Sequence, residues 1–260
     1  MNNLLSITGC IVLYRNNYEI VQKAINSFLA LDDVNILYLI DNSPTSELQT
    51  LKTDSRIEYI FNDKNLGFGK AHNIAIQKSI ELKSDYHFVL NPDIYFDKKE
   101  IVKIIDFLEK NRAFGQLMPQ ILYPNDELQY LCKNNPKPLD LFLRRFAPNV
   151  IKKRYKQRME QFEYRDKDYN GIIEDVPYLS GCFMVFRTSV LQKVNGFDER
   201  IFMYIEDADI TRRVLEVSKT IYFPEAKIYH HYEKGSYKKL KLMFYNLHGA
   251  FIYFKKWYGK

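Results

Sequence analysis

No stretch of the 260-residue sequence approaches the roughly 20 uncharged apolar residues that cross a bilayer, which excludes a helical membrane span. Cysteine is scarce: Cys10, Cys132 and Cys182 are odd in number and widely separated. That excludes a disulfide framework and a zinc-ligand spacing and predicts reduced thiols. Internal repeats and low-complexity tracts are absent. The opening "MNNLLSITGCIVLYRNN" lacks the basic region and cleavage site of a signal peptide and reads better as a first strand, which predicts a cytoplasmic protein. What is present is ordinary for a soluble globular chain, with 46% hydrophobic and 27% charged residues. The length suits one large α/β domain, with or without an appendage. The net charge of +6 would suit a polyanionic surface, but its distribution is more informative than its sum.

Residues 1–125 alternate between the two hydrophobic periods expected of repeated βα units and hence of a mostly parallel sheet. Strands are predicted at "ITGCIVL" (7–13), "NILYLI" (35–40), "RIEYIF" (56–61), "YHFVL" (86–90) and "GQLMPQILY" (115–123). Helices fall between them, the first with Val21, Ala24, Ile25, Phe28 and Leu29 on one face. Residues 124–174 carry four prolines and a basic cluster around Arg144, Arg145 and Lys152 to Arg158, and read as an insertion over the active edge of the sheet. Regular patterning returns with "VPYLSGCFMVFR", the turn "NGFDE", the helix "EDADITRRVLEVS" and the strand "TIYFP".

Ligands of open parallel sheets bind beyond the carboxyl ends of the strands, where loops and helix N-termini offer unpaired donors. Four consecutive strands deliver polar clusters there: Tyr14-Arg15-Asn16, Asp41-Asn42-Ser43, Asn65 to Gly69, and Asn91-Pro92-Asp93. Each has a plain reading when taken singly. Asp41-Asn42-Ser43-Pro44 suits an Asx turn, "NLGFG" suits a tight turn and is no P-loop, and Asp93 could cap the helix near Lys98. Their coincidence on one rim favours a binding site. Two further clusters lie downstream. Glu206, Asp207 and Asp209 open a helix, where capping is one reading and a general base the other. In "KIYHHYEKGSY" one of two adjacent histidines could reach a divalent ion beside a carboxylate, or both could be packed or surface residues.

"LYRNN", "LIDNSP", "NDKNLGFGKAHNIAI", "VLNPDIYFD", "LSGCFMVFR", "VNGFDERIFMYIEDADITRRV" and "IYHHYEKGSYKKLKL" resemble, in this order, the motifs of family-2 glycosyltransferases with the GT-A fold. The bacterial rhamnosyltransferases of surface-polysaccharide (O-antigen or capsule) assembly are the nearest branch. The resemblance covers about residues 5–258 and is weakest over 124–174. It implies an α/β fold of GT-A type, a Rossmann-like, mostly parallel sheet flanked by helices with a C-terminal acceptor-side extension. The domain would occupy 1–232, followed by a basic aromatic helical segment over 233–260.

By the same resemblance Leu13, Tyr14, Arg15, Asp41 and Asn42 would hold the nucleoside of a nucleotide-diphospho-sugar donor. Asn65, Gly67, Phe68, Gly69 and Asn73 would line the donor pocket. Asn91 and Asp93 stand at the Asp-x-Asp motif, with Asp93 binding a divalent cation, Mg²⁺ or Mn²⁺, and His230 (or its neighbour His231) as a further ligand. Asp207, second of the pair with Glu206, falls where inverting members keep the catalytic base. Asn91 replaces the first aspartate of the motif, which leaves one fewer charge for the ion. The Gln-x-x-Arg-Trp signature of processive members is missing, since the sole tryptophan is Trp257, so transfer of single sugars is expected. The implied acceptor is a glycan, or a sugar on a polyprenyl diphosphate.

The C-terminal "SYKKLKLMFYNLHGAFIYFKKWYGK" has no acidic residue and interleaves lysines with eight aromatic rings. It suits a helix on an anionic membrane surface, with the protein peripheral on the inner face of the cell membrane, or a terminal helix packed on the domain with a solvated lysine face. Nucleic acid is disfavoured, because no recognised binding module accompanies the charge. Two other functions remain open. A sugar nucleotidyltransferase shares the layout but should carry a glycine-rich loop after strand one, which "LYRNNYEIV" lacks. A non-catalytic nucleotide- or glycan-binding module of the same fold would need no base at Asp207.

Overall fold

A computed structural model describes residues 5–231 and 240–259. Lys238, Lys239 and Lys260 of the basic tail, and with them residues 233–239 of the expected C-terminal segment, lie outside the described residues. The first half is a run of βα units: β1 (Ile7–Leu13), α1 (Tyr18–Leu29), β2 (Val34–Asp41), β3 (Ile57–Phe61), α2 (Phe68–Glu81) and β4 (Tyr86–Leu90). After a two-residue strand β5 (Ile94–Tyr95) come α3 (Lys98–Lys110) and β6 (Phe114–Leu122). The 124–174 segment holds β7 (Cys132–Lys133), α4 (Pro138–Phe146), α5 (Asn149–Arg154), α6 (Lys156–Phe162) and β8 (Ile173–Glu174). The chain ends with β9 (Tyr178–Leu179), β10 (Phe183–Arg187), α7 (Thr188–Val194), α8 (Glu206–Val214), β11 (Lys219–His230) and α9 (Leu240–Tyr258).

The strand order of the main sheet is β3-β2-β1-β4-β10-β6-β11-β5, with β8 added beside β11. Strands β1 to β4 pair in parallel, as does β6 with β11; β10 runs antiparallel between β4 and β6. Every residue of β4 is buried, as expected of a central strand covered on both faces. Tyr86 and Phe88 face the larger core, where the Phe88 ring lies 5.2 Å from Phe28 and 6.0 Å from Phe183. Burial of each such ring contributes about 2–3 kcal/mol. His87 faces the other way, and its Nδ1 lies 2.8 Å from Ser79 Oγ and 3.0 Å from Thr8 Oγ1.

Local chemistry sets the helix starts. Asn17 caps α1 by accepting from the Glu19 and Ile20 amides. Asp97 caps α3 by accepting from Lys99 at 3.0 Å, so Asp93 does not serve as that cap. Pro119 lies within β6, a central strand, where a missing N–H is costly. Its partner strand relieves this, because the β11 register shifts between Phe223 and Lys227. Such a bulge bends the strand it occupies, and beyond it β11 runs on to His230 at the end of the sheet.

Candidate active site

Asn91-Pro92-Asp93 ends β4 and carries the chain to the far edge of the sheet, where β5 pairs with the last residues of β11, Ile94 opposite His230 and Tyr95 opposite Tyr229. The ladder continues in a bond from the His231 amide to the Asp93 carbonyl at 2.9 Å. This register brings His230 Nε2 within 3.3 Å of both Asp93 Oδ1 and Asn91 Nδ2. The His231 ring instead lies 5.2 Å from Tyr95. Gln129 holds His230 from behind. Its Nε2 donates to the carbonyls of His230 (2.9 Å) and Leu122 (3.3 Å), so its Oε1, 3.0 Å from His230 Nδ1, must accept the Nδ1 proton. In the neutral ring Nε2 then presents a lone pair towards a carboxylate oxygen that is buried and accepts no hydrogen bond. Two electron-rich atoms face each other there, an arrangement that a cation between or beside them would stabilise.

The other rim clusters are positioned by one another. Asp41 is buried and accepts from the Ser43 amide (2.8 Å) and Tyr59 Oη (2.6 Å). Asn42 donates to the Gly67 carbonyl (3.1 Å) and accepts from Asn62 (2.9 Å), and its amide bonds the carbonyl of buried Leu13. Asn65 accepts from the Gly67 amide. Tyr14 is exposed, and Arg15, at φ 54°, is held by a bond from its amide to Ser43 Oγ. A cavity of about 610 Å³ opens between Arg15, Asn91, Asp93 and His231. Of the expected donor-binding residues, Arg15, Asn91 and Asp93 line it, whereas Leu13, Tyr14, Asp41, Asn42, Asn65, Gly67, Phe68, Gly69 and Asn73 do not. Gly69 is buried against Phe197, and Asn73 clamps the Phe197 backbone, accepting from its amide at 2.8 Å and donating to its carbonyl at 2.9 Å. Gly67 has a more demanding place. At φ 85° a Cβ there would stand 2.2 Å from the Phe202 carbonyl oxygen, so only glycine lets α2 start against this loop.

That loop leads into α8 through Tyr204 and Ile205, both at φ 71°. Left-handed backbone at two bulky residues costs of order 1–3 kcal/mol each and persists only where the surroundings enforce it. Gly249 of α9 is part of that enforcement, since a Cβ there would approach Tyr204 O to 2.8 Å. The result is to aim the start of α8 at a second cavity of about 320 Å³, lined by Asp207 and Glu206 and also by Asn91, His230 and Phe68. Asp207 Oδ2 accepts from the Gly181 amide at 3.1 Å. Glu206 is buried, and burial together with the neighbouring Asp207 pushes its carboxyl well above the usual carboxylate range. Of the pair, Asp207 is the more exposed and the one held by a backbone donor from across the cavity.

Several residues of this site had no individual role in the sequence reading, although Arg144 was part of the basic cluster placed over the active edge. Gln129, Lys133 and Arg144 come from the insertion, and Tyr178 from β9. Lys133 is only 4% exposed and stands opposite Tyr178 in the β7–β9 pair, its Nζ 4.5 Å over the Tyr178 ring. The available hint was polar Gln129 and Lys133 within the apolar run "LQYLCK".

Comparison with known proteins decides the family. The description "Glycosyl transferase family 2" matches residues 10–194. The chain belongs to this family. Among curated relatives of this family-2 chain, the N-acetylglucosaminyl-diphospho-decaprenol L-rhamnosyltransferase of Mycobacterium tuberculosis is 28% identical over 176 residues, covering 64% of this chain and 56% of that protein. The rhamnosyltransferase WbbL of Escherichia coli is 26% identical over 210 residues, covering 78% and 75%. The chain thus spans little more than half of the first relative. Among solved structures, GalNAc-T7 with UDP, GalNAc and Mn²⁺ superposes with a TM-score of 0.66 at 14% identity, over 89% of this chain and 44% of that one. The mannosyltransferase PcManGT of Pyrobaculum calidifontis, with GDP-Man and Mn²⁺, gives 0.58 at 10%, over 89% and 58%. The fold is of the GT-A type.

Among the described residues no group of three or more His, Cys, Asp or Glu side chains is arranged to hold a metal ion. The donor set at Asn91, Asp93 and His230 nonetheless fits a divalent cation. Mg²⁺ in particular is commonly held by one or two protein ligands, with substrate phosphates and water completing its shell.

Proposed function

We propose that this family-2 chain is an inverting glycosyltransferase. It moves one sugar at a time, rhamnose from dTDP-rhamnose, to a lipid-linked or oligosaccharide acceptor in cell-surface polysaccharide synthesis. The observation that carries the reading is the convergence on Asn91. This residue lines both the cavity that contains Asp93 and the cavity that contains Asp207, so a donor-side and an acceptor-side space meet at one side chain. The names of the two rhamnosyltransferase relatives support the choice of sugar.

In this reading Arg15, Asp93 and the turns braced by Asp41, Asn42 and Asn65 receive the nucleoside diphosphate. Asp93 and His230 hold Mg²⁺ or Mn²⁺, which when bound supplies Lewis-acid stabilisation of the departing diphosphate. Asp207 takes the proton from the acceptor hydroxyl; the new bond forms at the anomeric carbon as the sugar–phosphate bond breaks on the opposite face, which inverts the configuration. The Gly181 amide holds Asp207 in place for this transfer. Glu206 acts beside it as a buried, uncharged neighbour.

The outward face of α9 supports peripheral contact with the inner face of the cell membrane: Phe244, Leu247 and Phe251 are exposed on one side, with Lys255 near the end of the helix. No helix among the described residues is long and apolar enough to cross a membrane.

The decisive experiment is a screen of dTDP-, UDP- and GDP-sugars against lipid-linked acceptors, with the anomeric configuration of the product determined. Retained configuration, or no transfer from any donor, would overturn the reading. Asp207→Asn should lower turnover about 10²–10⁴-fold while nucleotide binding persists; unchanged behaviour would instead indicate a binding module.

A further inference from the structure

Lys133 is a buried cation in the wall of the 320 Å³ cavity, and no carboxylate among the described residues lies within ion-pair distance of it. Its contact is the Tyr178 ring. A second cation, Arg144, lines the same cavity, with its Nε 3.8 Å from Glu163 Oε1. A buried charge without a directly paired counterion is costly, and a like charge nearby raises the cost; the charges of Asp207 and Glu163, beyond ion-pair distance, offset part of it. Both effects are visible in Lys133, whose ammonium is pulled down to about 8, first by burial and then by Arg144. An apolar residue of the same size would fill this position without penalty, so the lysine fits a site that receives an anion.

We propose that Lys133 and Arg144 recognise the diphosphate of a lipid-linked acceptor. This rests on the reading of the Asp207 cavity as the acceptor side and names the substrate class for it. A guanidinium fork and an ammonium point charge together suit phosphate oxygens. Two cations match the charge of a diphosphate better than that of a single carboxylate. The remaining wall is apolar, with Leu131, Leu141 and Phe162. Asn246 of α9 also borders the cavity, and the same helix exposes Phe244, Leu247 and Phe251. The phosphate-binding wall is therefore adjacent to an apolar surface on which the attached lipid can lie.

The test is calorimetry on the full chain with farnesyl diphosphate, in the presence of a chelator so that a cation-dependent donor site contributes nothing. Farnesol and glucuronate serve as uncharged-lipid and carboxylate controls. Farnesyl diphosphate should bind wild type at least tenfold more tightly than either control. Lys133→Met should weaken it at least tenfold, Lys133→Arg less than about threefold, and Asp93→Asn not at all. Arg144→Gln, on a more exposed helix, is the second variant should Lys133→Met melt early, and it should also weaken binding. The proposal is overturned if wild type fails to bind farnesyl diphosphate, if farnesol or glucuronate binds as well, if neither cation variant weakens binding, or if Asp93→Asn weakens it equally. A parallel titration of dTDP and UDP with Mn²⁺ reports on the donor reading separately. Silence there removes the transferase function, while the farnesyl diphosphate arm still decides the anion site.

Discussion

Gln129 illustrates how much of the site depends on a residue with no direct part in the chemistry. By accepting the Nδ1 proton of His230 it fixes both tautomer and ring orientation, and its amide group ties the insertion to the end of β11. Loss of such an outer partner typically lowers metal affinity 10–100-fold. Gln129→Ala should therefore raise the Mn²⁺ concentration needed for nucleotide binding by that factor, measured by calorimetry with dTDP or UDP. Gln129→Glu, which can still accept from Nδ1, should recover most of it. An equal loss in both variants would mean that Gln129 acts only through packing. The sequence pointed to Asp93, to Asp207 and to one of the two histidines because each sits in a motif of its own. It left the histidine choice open and gave no role to Gln129 beyond its polarity within an apolar run, since the pairing of β5 with β11 and the path of the insertion are long-range events.

At the scale of elements, Asp209 ties α8 to the terminal helix. It is fully buried, and its carboxylate receives Arg213 Nε (2.8 Å), Lys256 Nζ (2.8 Å) and Trp257 Nε1 (2.9 Å). Arg212 of the same helix lies 4.1 Å over the Trp257 ring. Removing one partner of a buried charge network leaves the others uncompensated, so Asp209→Asn should cost about 3 kcal/mol in denaturant unfolding. A change below about 1 kcal/mol would show that α9 is held by Tyr253 and Ala250 packing alone. The basic tail was legible as a helix, but not its orientation. Tyr253 and Ala250 pack on the domain and Lys256 turns inward to an acid, while Lys255 shares the exposed side with Phe244 and Phe251, so neither face is purely basic or purely apolar. Helical periodicity could not reveal this, because apolar and basic residues both occur on each side of the helix. Gly67→Ala belongs to the same scale. Its Cβ would collide with the Phe202 carbonyl, so both stability and donor affinity should fall. Normal donor affinity in the variant would separate the α2 start from the site.

For the whole molecule, buried histidines make stability sensitive to acid. His87 is pushed by burial down to about 3, and burial, followed by the repulsion its own charged form would meet from a protonated His87, holds His72 well below its usual value. A folded value below the unfolded one means stability that is complete above about pH 6.5 and declines as pH falls below it. The decline is about 1.4 kcal/mol per pH unit for each proton. Glu206, raised by burial and Asp207, acts in the opposite sense and gains stability on acidification. The informative quantity is thus the difference between wild type and His87→Gln in urea unfolding at pH 7.5 and 5.0, where wild type should lose more. Parallel slopes would rule out the neutral buried imidazole. Sedimentation with anionic vesicles tests the outer face of α9: Phe244→Ser with Phe251→Ser should reduce binding about tenfold without lowering the melting temperature. Most of the strand and helix succession of the first half was readable, because alternating βα units impose two distinct hydrophobic periods. The antiparallel insertion of β10 between β4 and β6 was not, since strand order is decided by packing across the chain.

The bulge in β11 between Phe223 and Lys227 has a consequence for the two neighbouring histidines. Side chains alternate across a strand with a period of two. A single residue lost at Pro224-Glu225-Ala226 would exchange the roles of two identical imidazoles, bringing the one now against Tyr95 round to Asp93 and turning its predecessor away. Which imidazole faces Asp93 is thus a matter of counting along one bend, and a one-residue deletion there should leave an imidazole against Asp93, with His231 in the place of His230.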